Sequence, residues 1–147
     1  MKHFRIVLLL ISAFLAYQTA GAQNMLLKSS TQPSVVTDGS DDVFIPISKY
    51  MASGNTDALA AWFSDNLEVT VLSRQSDASR QQARQILKTF FDNYTPRSFN
   101  ITHIAGKANM KYALGSLNAG GENFNVTIFV NCKDEGYKIQ QLRIERF

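Results

Sequence analysis

Apolar and polar positions along this chain change their period more than once. Val43, Phe44, Ile47, Tyr50 and Met51 recur at helical spacing. Pro46 falls in the first turn of that helix, where a missing N–H costs little. Gly54 stops the helix, and Asn55 is placed to cap a second one with Leu59, Trp62 and Phe63 on one face. Two short helices meeting at Gly54-Asn55 predict a helical corner. Leu67, Val69 and Val71 then alternate with Glu68 and Thr70, as in a half-buried strand. Ser73 to Ala78 is polar and reads as a loop. Ser79 followed by Gln82 fits a capping box for a third helix running to about Tyr94, closed off by Pro96. Ala83, Ile86, Leu87, Phe90, Phe91 and Tyr94 form its apolar stripe.

Beyond Pro96 the period is 2. Phe99, Ile101 and His103 alternate with polar neighbours, then Met110, Tyr112, Leu114 and Ser116 do the same. Asn118 to Gly121 is a turn signal, and Phe124, Val126, Ile128 and Val130 mark the next strand. Lys133 to Gly136 reads as a tight hairpin turn. In the last segment Tyr137 and Ile139 are on odd positions but Leu142 and Ile144 on even ones. A bulge near Gln140-Gln141 reconciles the two phases and bends the strand. The expected order is helix, helix, strand, helix and four antiparallel strands. The fold class is α+β: three N-terminal helices packed on a strongly bent, mainly antiparallel sheet.

The first residues carry a different signal. Lys2, His3 and Arg5 precede an apolar run over residues 6–16, and Ala20-Gly21-Ala22 follows. That is the layout of a secretory signal peptide over residues 1–22. The run of 11 residues is too short to span a bilayer, which takes about 20. Residues 23–42 have no sustained period and read as a flexible leader, leaving residues 43–147 as the single folded domain. The expected location is the periplasm or the exterior of a bacterial cell, with no stable membrane insertion after cleavage.

Composition adds limits. The chain has 147 residues, 15 basic and 12 acidic, and the hydrophobic fraction is 45%. Those figures suit one globular domain and exclude wholesale disorder or a collagen-like chain. Cleavage removes Lys2 and Arg5, so 13 basic residues then face 12 acidic ones and the net charge is +1. Interspersed, nearly balanced charge gives no case for nucleic acid as a partner. One cysteine excludes a disulfide scaffold. Cys132 is expected as a buried, inert thiol at a strand end, with an intermolecular disulfide as the alternative.

The tracts SGNTDALAAWFSDNLEVTVL, SRQQARQILKTFFDNY and YKIQQLRIERF carry a resemblance. The first is similar to the opening of the nuclear transport factor 2-like superfamily, also described as the cystatin-like cone. With the other two, the domain resembles a family of small exported bacterial proteins of unknown function. The resemblance covers about residues 43–147. It implies the cone fold and export, and it implies no activity.

Some relatives of that superfamily are isomerases, dehydratases or hydrolases, so each ionisable residue needs weighing. His103 is the one histidine after residue 22. Alternation turns it inward with Phe99 and Ile101, where it could act as a base or sit as a partly buried edge histidine. Tyr50, Trp62 and Tyr112 could line a pocket and offer polar tips, or could be plain core. Asp57 and Asp65 suit helix-end and turn roles. Phe129 and Arg143 lie on the expected outer face of the sheet and are interface candidates, either for a homodimer or for another protein. No metal or cofactor motif occurs: H-E-x-x-H, C-x-x-C, the P-loop and G-x-G-x-x-G are all missing. The reading is an exported, non-enzymatic module that binds a small apolar ligand or a protein. The alternative is an isomerase, dehydratase or hydrolase using His103 as base and Tyr112 as donor.

Overall fold

The computed structural model describes residues 43–134 and 136–147. The expected signal peptide and leader, residues 1–22 and 23–42, lie outside the described residues.

Helix α1 (Phe44–Ser53) ends where expected. Gly54 takes a left-handed φ of 67°, and a Cβ there would meet the Pro96 ring at 2.8 Å. Asn55 caps α2 (Thr56–Ala60) by accepting from the Ala58 N–H. This second helix is shorter than its apolar pattern predicts. Trp62 lies in a turn, and Phe63 opens strand β1 (Phe63–Val71) rather than extending the helical face. The sheet claims this backbone: Trp62 C=O accepts from Ile139 N–H at 2.7 Å, and Phe63 pairs with Ile139.

The polar stretch after β1 is a strand and not a loop. β2 (Arg74–Ser79) pairs antiparallel with β1, from Val71 opposite Arg74 to Asn66 opposite Ser79. The two-residue turn between them is Leu72-Ser73, with φ of 56° and 102°. Positive φ at both central residues is normally supplied by Asn and Gly, so the hairpin carries no familiar turn signature. The left-handed region costs a residue with a side chain roughly 1–2 kcal/mol. A bond from Leu72 N–H to Ile144 C=O, 2.9 Å, helps to hold the turn in place.

Helix α3 (Arg80–Asn93) begins with the predicted capping box: Ser79 Oγ accepts from Gln82 N–H, and Gln82 Oε1 accepts from Ser79 N–H. Four strands follow: β3 (Pro96–Lys107), β4 (Met110–Ala119), β5 (Glu122–Lys133) and β6 (Gly136–Arg146). The six strands form one mixed sheet in the order β2-β1-β6-β5-β4-β3. Every neighbouring pair is antiparallel except β1 and β6, which are parallel.

Bulges decide which face each side chain occupies. In β6 the extra residue is Gln140, since Phe129 pairs with Gln141 and Val130 with Ile139. This is the predicted bulge. A second one was not legible: Ile101 pairs with Gly115 but His103 pairs with Leu114, leaving Thr102 as the extra residue in β3. Thr102 Oγ donates to Leu114 C=O at 3.2 Å. The slip reverses the facing downstream, because strand side chains alternate strictly. His103 is therefore exposed on the outer face, and Ile104 takes the inward position.

The inner face of the sheet meets the helices. Phe44, Ile47 and Met51 of α1, Leu87 of α3, and Phe63 and Phe124 of the sheet are fully buried there. Burying each such side chain contributes roughly 1.5–3 kcal/mol. In β4 the inward residues are Lys111, Ala113, Gly115, Leu117 and Ala119, whereas Met110, Tyr112 and Leu114 look outward. Among the described residues no helix is long and apolar enough to cross a membrane.

Candidate functional site

The core fills the middle of the molecule but leaves a cavity towards one end. It lies between α3 and the β1–β2 hairpin and has a volume of about 960 Å³. Sites for drug-sized ligands commonly span about 300–1,000 Å³. Its floor is apolar, made by Val69 and Val71 of β1 and by Ile86 and Phe90 of α3. These positions follow from periodicity. Val69 and Val71 are two apart on a strand, and Ile86 and Phe90 are one helical turn apart.

An aromatic group stiffens one wall. Phe90 stacks on Tyr94 with centroids 5.0 Å apart, and both meet the Phe124 ring edge to face at 5.3 and 5.2 Å. The Tyr94 hydroxyl accepts from Arg146 at 2.9 Å. The rim is polar: Arg74 and Ser76 from β2, and Gln82, Gln85 and Asn93 from α3.

None of Tyr50, Trp62, His103 and Tyr112 lines this cavity. Tyr50 and Trp62 are half-buried and pack against the core beside the helical corner. His103 and Tyr112 are neighbours, with ring centroids 6.1 Å apart, but they share the outer face of the sheet. The bulge at Thr102 and the inward phase of Gly115 put them there. The cavity residues Ile86 and Phe90 belonged to the predicted helix stripe. The contribution of β2 was missed, because its hairpin has no Asn-Gly or Asp-Gly turn.

Phe129 and Arg143 do lie on the outer face. Tyr112, Phe129 and Gln141 form a row across β4, β5 and β6, and Leu114, Thr127, Arg143 and Thr70 form the adjacent row. Met110 and Leu114 are 45% and 38% exposed. Glu68 accepts from Gln141, and Arg143 pairs with Glu145 at 3.1 Å. Arg143 Nε and Thr70 Oγ are buried in this face without a hydrogen-bond partner.

Other candidates resolve into structural roles. Asp57, in the first turn of α2, pairs with Arg84 at 2.6 Å, and Asp65, in strand β1 rather than in the expected turn, pairs with Arg80 at 3.0 Å. Cys132 is exposed and not buried, because it sits near the β5 end beside the hairpin turn. Among the described residues no group of three or more His, Cys, Asp or Glu side chains could hold a metal.

A helical corner and a long helix against a bent mixed sheet define the nuclear transport factor 2-like, or cystatin-like, class. Within that class the chain belongs to the family described as Domain of unknown function (DUF4783), whose model matches residues 44–145. A crystal structure of a member of this family from Bacteroides uniformis superposes with a TM-score of 0.67 at 23% identity, covering 70% of this chain and 95% of that one. A cystatin-like domain of unknown function from Nostoc punctiforme gives 0.62 at 14% identity, covering 76% and 80%. A protein of the nuclear transport factor 2-like family from Streptomyces avermitilis gives 0.58 at 9% identity, covering 79% and 99%. No curated protein matches the chain.

Proposed function

We propose that this domain is a non-enzymatic binding module whose ligand is a small, largely apolar molecule held between α3 and the β1–β2 hairpin. The observation that carries the reading is the cavity of about 960 Å³ with an apolar floor and a hydrogen-bonding rim. Among the described residues, its inward side chains include no histidine, cysteine or carboxylate to move a proton. A carboxylate at its edge, Asp77, pairs in register with Glu68 on the opposite face. Enzyme chemistry through His103 and Tyr112 lacks an enclosed site, since both stand on the outer face. Residues 1–22 support export to the periplasm or beyond as the setting.

Native mass spectrometry tests this reading. Protein isolated from its own compartment is expected to carry a small-molecule mass that denaturation removes. Ile86→Trp, which fills the floor, is expected to arrive empty. A wild-type protein that is always bare would overturn the reading.

A second reading concerns the outer face, where Met110, Tyr112, Leu114 and Phe129 form an apolar stripe beside Glu68, Arg143 and Glu145. Both charge signs in one patch suit a second copy of this chain in a two-fold contact, and Arg143 Nε lacks an internal partner. Light scattering is expected to show a dimer that Leu114→Glu converts to a monomer. A wild-type monomer at high concentration would dismiss it.

A further inference from the structure

We infer that the cavity ligand is an amphipathic monoanion: an apolar body against Val69, Val71, Ile86 and Phe90, with its negative head at Arg74. This deepens the binding reading above and rests on it.

Register fixes where Arg74 belongs. It stands directly opposite Val71, so its side chain leaves β2 on the inner, cavity-facing side. Ser76, opposite Val69, does the same. Asp77 also borders the cavity, but the register turns its side chain to the outer side of β2, opposite Glu68. The remaining rim side chains, Ser76, Gln82, Gln85, Thr89 and Asn93, are neutral. Among the described residues, Arg74 is thus the one charged cavity residue that the strand register aims inward.

That charge is uncommitted. Arg80, Arg84, Arg143 and Arg146 each pair with a carboxylate. Among the described residues Arg74 has no ion-pair partner. A guanidinium offers a planar fork of donors that matches a carboxylate or sulfonate. Its position is also held by an unusual backbone. Leu72 and Ser73 occupy left-handed φ immediately before it, and strained turns of this kind are tolerated where the surrounding structure over-determines them. Leu72 itself joins the cavity lining, adding apolar surface next to the charge. One cation above an apolar floor selects a single negative head on a hydrocarbon body, and discriminates against a cationic one.

Calorimetric titration of the purified protein with decanoate and decan-1-ol tests this. Decanoate is expected to bind about tenfold more tightly than the alcohol, the scale of one charge-assisted hydrogen bond. Arg74→Gln is expected to remove that difference while leaving decanol unchanged, and Arg97→Gln to leave both as in the wild type. Equal binding of the two probes, or a preference that survives Arg74→Gln, overturns the anion assignment while the binding reading stands. If neither probe binds, or Ile86→Trp weakens neither, the cavity reading itself fails and the assignment falls with it. Arg74 is exposed, so its replacement is not expected to unfold the protein, and circular dichroism checks that.

Discussion

The Phe99 ring occupies the space that a side chain at Gly115 would need. A Cβ on Gly115 would lie 2.7 Å from both Cε2 and Cζ of Phe99 and 2.9 Å from the Asn100 carbonyl oxygen. The ring can move only by disturbing its own strand and the core beneath it. Gly115→Ala is expected to cost about 1–3 kcal/mol, typical of overpacking. Phe99→Leu in the same chain should recover part of the loss. Urea denaturation of the four chains of that cycle measures the coupling, and independent, additive effects would contradict the contact.

The Leu72-Ser73 turn makes the opposite prediction at its second position. Ser73 is exposed and holds a φ of 102°, a value glycine adopts without a steric penalty. Ser73→Gly is expected to stabilise the domain by up to about 1 kcal/mol and to raise its melting temperature by a few degrees. A lowered melting temperature would show that the serine side chain contributes something the turn geometry does not require.

The capping box at the start of α3 supplies a third. Ser79→Ala removes the acceptor for the Gln82 N–H and should destabilise by about 1 kcal/mol, read by thermal melting. Ser79→Asp restores an acceptor and should return most of the stability. If both variants melt alike, the hydrogen bond is not what starts this helix.

His103→Ala is expected to be silent. The imidazole is exposed on the outer face, so stability should change by no more than about 0.5 kcal/mol and ligand retention in the cavity should not change. A variant that loses its bound molecule would place this histidine in the site after all.

Most of the fold is legible in the sequence, and the reasons are local. Ser79 and Gln82 are a three-residue signal, and the structure forms both of their bonds. Gly54 and Asn55 divide the two helices because one tolerates left-handed backbone and the other offers an acceptor. The parity change between Ile139 and Leu142 locates the Gln140 bulge. The sites that escape are those set by partners distant in the chain. Phe63 fits a helical stripe equally well, and Ile139, far along the sequence, makes it a strand. Thr102 looks like any other strand residue, yet the ladder skips it, and that turns His103 to the outer face, where the phase of β4 already places Tyr112. Arg74 drew no notice in the sequence because the hairpin that aims it inward turns on Leu and Ser.

The strand order has a consequence for how the chain reaches this structure. β6, the last strand in sequence, lies inside the sheet between β1 and β5. Until about residue 146 has been synthesised, β1 and β2 have no covalently nearby strand to join them to β3, β4 and β5. Phe63 must find Ile139 across most of the domain, and such distant pairing slows folding. Without β6, the inner edges of β1 and β5 both lack a partner strand. The interior seam of the sheet therefore closes only when the most distant partners in the domain have met.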